Sequence, residues 1–74
     1  MKTGLKDRIF IFLLGGPCRY MDLGLDYNFE DDLQILAEDY EVAFFTVERI
    51  LWKMLKNSGC YKYNLTDHTG TAIC

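Results

Sequence analysis

Two helical patterns of apolar residues, at about 29–40 and 44–57, are separated by only three residues in this sequence. Both repeat apolar side chains at spacings of three and four residues, which places those side chains on one face of each helix. These residues are Leu33, Leu36, Ala37 and Tyr40 in the first pattern and Val47, Ile50, Leu51 and Met54 in the second. Because the break at 41–43 is so short, the two apolar faces must pack against each other at a wide angle, which predicts a helix-turn-helix.

Local sequence defines the ends of both helices. Asn28 can cap the first helix, whose opening turn carries acids that the positive end of the helix dipole favours. Asn57, Ser58 and Gly59 end the second helix. Glu41 occupies the place in the turn where a helix-turn-helix usually has glycine.

The N-terminal part predicts a further helix at about 5–14, which stops at the sequence "GGP". The apolar residues on its inner face are Leu5, Ile9, Phe12 and Leu13. A buried strand over 9–14 is the alternative, because isoleucine and phenylalanine dominate that short run. Residues 15–28 contain more turn formers and predict a loop with a short extended piece.

The C-terminal part predicts a β-hairpin over about 60–74. "CYKYNL" alternates like a strand, "TDHTG" is a turn and "TAIC" pairs back as a second strand. No linker or repeat interrupts the chain, and 74 residues is the size of one domain. We therefore expect a single domain, 1–74, that is mainly α with a small β-hairpin.

Three helices followed by a hairpin is the element order of a winged helix-turn-helix. "LAEDYEVAFFTVERIL" resembles the two-helix core of the DNA-binding domains of GntR-type bacterial regulators, and "HTGTAIC" is similar to their wing. The resemblance implies a three-helix winged helix-turn-helix that binds DNA as a transcriptional regulator. It also implies that the helix at 44–56 is the recognition helix and lies against the major groove.

This chain departs from the family at both places that contact DNA. The recognition helix begins with Ala43, Phe44 and Phe45, where the family typically has polar and basic residues. The wing has Asp67 and His68 where the family has bases. We therefore expect this surface to hold the phosphate backbone more than to read bases.

Charge is unevenly distributed along the chain, whose net charge is −3. Residues 26–48 hold eight acids and no base, whereas 49–74 hold four bases and one acid. Because Lys and Arg that neutralise phosphates supply much of the affinity for DNA, the first hypothesis places double-stranded DNA against the second stretch. The candidate nucleic-acid-binding residues are Thr46, Arg49, Lys53, Lys56, Lys62 and His68.

The sequence has more large apolar residues than a core of this size can bury, so some are expected to contact a partner. Phe10, Ile11 and Leu14 lie around the sides of the first helix and are candidates for a homodimer contact. Phe45 and Trp52 flank the bases and are candidates for a protein interface. The second hypothesis is therefore a protein-binding module on the same fold. It would be a phage or mobile-element factor that engages a host protein through these aromatics or through an acidic, DNA-mimicking face.

Other functions find little support. The chain has one histidine, no catalytic pairing of nucleophile and base and no glycine-rich phosphate loop, so we expect neither an enzyme nor a cofactor. The longest apolar run, 9–14, has six residues and is too short to span a membrane. The three cysteines are expected to be free thiols in a reducing cytoplasm; a metal site shared with His68 is the alternative. They are Cys18, Cys60 and Cys74.

Overall fold

Residues 3–74, the part of the chain that the computed structural model describes, form four helices and three short strands. The helices are α1 (Leu5–Gly15), α2 (Pro17–Asp22), α3 (Glu30–Asp39) and α4 (Phe44–Ser58). The strands are β1 (Tyr27–Asn28), β2 (Tyr61–Asn64) and β3 (Thr69–Ala72). The predicted helices at about 5–14, 29–40 and 44–57 are confirmed, and so are the hairpin and the mainly α class. Residues 9–14 are helical, so the strand alternative is excluded.

The predicted loop at 15–28 is wrong in part, because Pro17–Asp22 is a short helix. Proline cannot continue α1, since it has no N–H to donate, but its fixed φ suits the first position of a new helix. The chain therefore turns at Gly16 and starts α2 at Pro17. Met21 on this helix is fully buried, so α2 contributes to the core.

The three strands form one antiparallel sheet in the order β1-β3-β2. β3 is central, because Gly70 lies opposite Tyr27 of β1 and Tyr63 of β2. The predicted two-stranded hairpin therefore gains a third strand from the segment just before α3. The Phe29 N–H, at the start of α3, donates to the carbonyl oxygen of His68 (2.8 Å), which ties the helix pair to the hairpin.

Phe29 lies at the centre of the core. Its side chain is fully buried. Its ring contacts those of Tyr27, Tyr63 and Phe12, with centroid distances of 4.7, 5.8 and 6.1 Å. The buried apolar side chains are Ile9, Leu13, Met21, Phe29, Leu33, Leu36, Ala37, Val47, Leu51, Leu55 and Tyr63. The core thus joins residues from all four helices to the sheet.

A Schellman motif ends α3 and leads into α4. The Val42 N–H donates to the carbonyl of Ala37 (3.0 Å), and the Glu41 N–H donates to the carbonyl of Glu38 (3.3 Å). Glu41 has a φ of 53°, in the left-handed region that side chains with a Cβ disfavour. Glu41 therefore adopts the conformation of the glycine that is usual in this turn.

The prediction of three free thiols is wrong for two of the cysteines. Cys60 and Cys74 form a disulfide, with their Cα atoms 4.9 Å apart, and Cys18 is free. The hairpin register explains the pairing, because Tyr61 lies opposite Ala72 and the residues just outside the two strands are therefore close. The bond closes the open end of the hairpin, opposite its turn.

Glu41→Gly is expected to raise the free energy of unfolding by about 0.5–1 kcal/mol, because glycine adopts the left-handed conformation without a Cβ penalty. Urea unfolding followed by circular dichroism measures the change. Glu41→Gln is the control, since it keeps the Cβ and removes only a negative charge near the C-terminal end of α3. A gain from glycine no larger than that from glutamine would contradict this interpretation.

Gly70→Ala is expected to lower the free energy of unfolding by about 1–3 kcal/mol, the usual cost of overpacking a core. A Cβ at Gly70 would lie 2.7 Å from Cε2 of Phe29 and 2.8 Å from Sδ of Met21. Gly15→Ala is the matched control, because a Cβ there meets nothing within 4 Å and alanine favours a helix. Thermal unfolding of the two variants measures the difference, and equal stabilities would show that Phe29 moves aside freely.

Candidate nucleic-acid interface

The outer surface of α4 carries a row of bases, here called the basic stripe: Arg49, Lys53 and Lys56. All three are exposed, because Val47 and Leu51 place the opposite side of the helix in the core. Steps of four and three residues distribute the charges over roughly 10 Å of helix. α4 therefore presents three of the predicted DNA-binding residues on one side.

Glu48 is the one acid in α4. Its side chain is buried, and its Oε2 accepts a hydrogen bond from the Tyr63 hydroxyl (2.7 Å) and contacts Nδ1 of His68. Tyr63 lies on β2 and His68 in the turn after it, so the carboxylate also fixes the hairpin to α4. The outer surface of α4 is left with bases and no acid.

A cleft of about 360 Å³ between α4 and β2 extends the basic stripe onto the hairpin. Lys56 lines the cleft from α4, and Lys62, which is exposed, lines it from β2. Trp52 and Tyr61 line it as well, and Nζ of Lys56 lies 5.3 Å from the centroid of the Trp52 ring, a cation–π contact. Lys62 thus adds a fourth base beside the three of the stripe.

The other two predicted DNA contacts, Thr46 and His68, are placed differently. Thr46 is half-buried in the first turn of α4. The His68 ring lies edge-on to the Phe44 ring, with centroids 5.2 Å apart, and its Nδ1 contacts Glu48. The His68 side chain is therefore turned towards α4, and its Nε2 is the atom left to reach a phosphate.

A second cleft, of about 210 Å³, lies between α4 and the turn of the hairpin. We call it the aromatic cleft; it is lined by Phe45, Arg49, Trp52, Leu65 and the largely buried Glu48. Phe45 is 63% exposed and Leu65 is 49% exposed. The predicted protein-interface residues Phe45 and Trp52 therefore share one surface with Arg49 of the basic stripe.

The predicted dimer residues Phe10, Ile11 and Leu14 lie together on the outer side of α1. Each is more than half exposed, whereas Ile9 and Leu13 on the inner side are buried. α1 is therefore apolar on both sides, a property of helices that are covered on both sides. This patch and the basic stripe lie on different helices.

The outer side of α3 is acidic with an apolar residue in its middle. Ile35 is 58% exposed. Asp31 lies one helical turn before it and Glu38 one turn after it, and both are exposed. We call these three residues the α3 face. The two helices of the pair thus present opposite charges to solvent, acidic on α3 and basic on α4.

From the sequence, Glu48 is counted with the acids of 26–48, and its burial is not predicted. A signal for its burial exists in the sequence, because Glu48 precedes Leu51 by three residues and Leu55 by seven and so falls on the core face. Leu65, which forms part of the aromatic cleft, has no such signal. A single leucine in a turn is common and implies nothing by itself.

No family model, curated protein or solved structure matches this chain. Within residues 3–74, no group of three or more histidine, cysteine, aspartate and glutamate side chains could hold a metal ion. The cysteine–histidine site considered from the sequence does not form, because Cys60 and Cys74 are bonded to each other. The described helices include none with both the length and the apolar character of a bilayer span.

Three tyrosines make the fold sensitive to alkaline pH. Burial, and then the hydrogen bond to Glu48, raises the pKa of Tyr63. The hydrogen bond to Asp22 raises the pKa of Tyr61, and burial raises the pKa of Tyr27 to about 12. An unperturbed tyrosine has a pKa of 10.0, so the folded chain holds these protons more tightly than the unfolded chain.

The stabilisation from these tyrosines is therefore complete below about pH 10 and is lost as pH rises above it, because the unfolded chain ionises first. We expect the free energy of unfolding to fall as pH rises from about 10 to about 12, the pKa of Tyr27 in the folded chain. Tyr63→Phe should be less stable at neutral pH by about 1–3 kcal/mol and should show a shallower alkaline decline. Urea unfolding at each pH measures both, and equally steep declines in the two proteins would contradict the role of Tyr63.

Proposed function

We propose that this chain is a winged helix-turn-helix protein that binds double-stranded DNA as a homodimer and regulates transcription in the cytoplasm. The observation that carries the proposal is the outer surface of α4. Arg49, Lys53 and Lys56 are exposed there, while Glu48, the acid of the same helix, is buried beneath the hairpin. A helix whose exposed charged side chains are all bases suits the phosphate backbone of DNA.

The position of the hairpin supports the assignment of a winged helix-turn-helix. β2 and β3 follow α4 directly and are fixed to it through Glu48, as a wing beside its recognition helix would be. β1 joins the same sheet just before α3, so the helix pair and the hairpin form one unit. α2 is an addition to the three-helix arrangement.

The side chains favour contacts with phosphates over contacts with bases. Phe45 is exposed on the first turn of α4, where base-reading residues act in helix-turn-helix proteins, and it offers no hydrogen bond. Lys62 can contact the backbone from β2. The turn of the hairpin contributes Asp67 and no lysine or arginine. We therefore assign a general affinity for duplex DNA with weak sequence preference.

The homodimer in this proposal forms through the outer side of α1. A second copy would cover the exposed apolar side chains of Phe10, Ile11 and Leu14, which gains hydrophobic free energy. A symmetric contact between like patches closes at two copies. Because the patch is on α1, dimer formation leaves both basic stripes exposed.

Fluorescence anisotropy with a labelled duplex of random sequence tests DNA binding. Contacts from the basic stripe and Lys62 to about four phosphates should make binding about 100-fold weaker when salt rises from about 50 to about 200 mM. Arg49→Glu/Lys53→Glu should weaken binding at least about 10-fold and reduce its salt dependence. An unchanged affinity of this double variant for the duplex would contradict the proposal.

Two controls make the DNA experiment specific. Arg19→Glu changes the charge of an exposed α2 residue by the same amount as the single variant Arg49→Glu, and of these two single variants Arg19→Glu should have the smaller effect. The cytoplasm keeps most cysteine pairs reduced, so a protein that acts there must bind DNA without the Cys60–Cys74 disulfide at the open end of the hairpin. A reductant should therefore leave binding unchanged.

A protein partner at the same surface is the second candidate. The aromatic cleft favours it, because exposed Phe45 and Leu65 beside Trp52 and Arg49 make a surface typical of protein interfaces. In this alternative the acidic side of α3 would mimic DNA. Undetectable DNA binding by the folded wild-type chain would favour this candidate over the first.

A further inference from the structure

The aromatic cleft and the α3 face of this chain are chemically complementary. The cleft is largely apolar, and the carboxylate of Glu48 in its wall is buried and hydrogen-bonded to Tyr63. The exposed charges beside it are the bases of α4: Arg49, Lys53 and Lys56. The α3 face has the opposite charge around an apolar centre, with acids one helical turn before and after Ile35. Each surface therefore has the properties of a partner for the other.

The two surfaces also share the same spacing. Asp31 and Glu38 are seven residues apart on α3, as are Arg49 and Lys56 on α4, which is roughly 10 Å in each helix. An apolar side chain lies between the two charges on each helix, and its position determines whether the helices meet parallel or antiparallel. Ile35 is four residues after the first acid and three before the second.

Trp52 is three residues after the first base and four before the second. The spacings therefore match when the two helices run antiparallel, with Ile35 opposite Trp52. Asp31 then lies opposite Lys56, and Glu38 lies opposite Arg49. The cation–π contact of Lys56 with Trp52 holds its ammonium group beside the cleft in the free chain.

A single chain cannot fill its own cleft. α3 and α4 pack on each other through their inner sides, where Leu33, Leu36, Val47 and Leu51 are buried. The α3 face is on the outer side of α3, with Ile35 still 58% exposed. The occupant that brings this α3 face is therefore a second copy of the chain.

We propose that the α3 face of one copy docks on the aromatic cleft of a second copy, with α3 antiparallel to α4. The contact is heterologous, since it joins two different surfaces, so it links copies head to tail into a ring or into an open-ended assembly. It is small and salt-sensitive, with a Kd in the range of about 10 µM to 1 mM. It is separate from the symmetric α1 contact, and it covers part of the surface assigned to DNA.

The experiment uses two variants, each with one of the two surfaces removed. The acceptor, Ile35→Ser/Glu38→Gln, loses the α3 face and keeps the cleft with the chain's single tryptophan. The donor, Arg49→Gln/Trp52→Phe, keeps the α3 face and has no tryptophan. Three of the four positions are exposed and Trp52 is half-buried, so both variants should fold, which circular dichroism checks.

Titration of the donor into the acceptor should change Trp52 emission and saturate at one to one. The affinity should be at least about 10-fold weaker at about 0.5 M than at about 0.05 M salt. In sedimentation at low salt, wild-type assemblies should grow beyond the dimer with concentration, whereas neither variant alone should do so. A wild-type chain that stays at or below the dimer at about 1 mM, the upper end of the range of Kd, would overturn the proposal.

Two modified donors serve as controls. Adding Ile35→Ser to the donor should abolish the change in emission. Adding Leu23→Ser, which alters a 74%-exposed residue outside both surfaces, should leave it intact. An equal response to both modified donors, or no saturable response to the donor itself, would overturn the proposal. The titration contains no DNA, so its result is independent of whether the basic stripe binds DNA.

Discussion

The fold depends on how the Phe29 ring is packed. Phe29 stands between β1 and α3, and its ring lies so close to Gly70 of β3 that no Cβ fits between them. Its N–H donates to the His68 carbonyl in the turn of the hairpin. One residue thus starts the helix pair and closes the sheet. Packing in the core therefore determines the position of the hairpin beside α4.

Glu48 connects this architecture to the surface of α4. A buried carboxylate is costly unless it is hydrogen-bonded, and the hydroxyl of Tyr63 with the imidazole of His68 offsets that cost. Both partners come from the hairpin, so the same interaction anchors the hairpin and removes the acid of α4 from solvent. The uniform charge of the basic stripe is in this sense a consequence of how the hairpin is held.

The sequence was sufficient for the elements with long, regular apolar periodicity, and for the side of α4 on which the basic stripe lies. It was insufficient where the outcome depends on contacts between distant segments. Pro17 follows the end of one helix and begins another. The second helix is favoured over a loop because it buries Met21 in the core, a contact that the local sequence does not reveal. The Cys60–Cys74 bond follows from the strand register, and the aromatic cleft exists only once the hairpin is placed against α4.

The opposite charges of α3 and α4 constrain every partner of this surface. α3 and α4 pack on each other, so the acids of α3 act on a phosphate backbone near α4, with a strength that falls over a Debye length of roughly 10 Å. In the proposed function, a duplex would therefore favour the part of α4 where β2 places Lys62 beside Lys56. Within one chain, the acids of α3 repel DNA from the bases of α4. The same acids on a second copy are attracted to those bases. The two proposals therefore imply that self-association and DNA binding compete for Arg49, and that salt weakens both because both depend on the same charges.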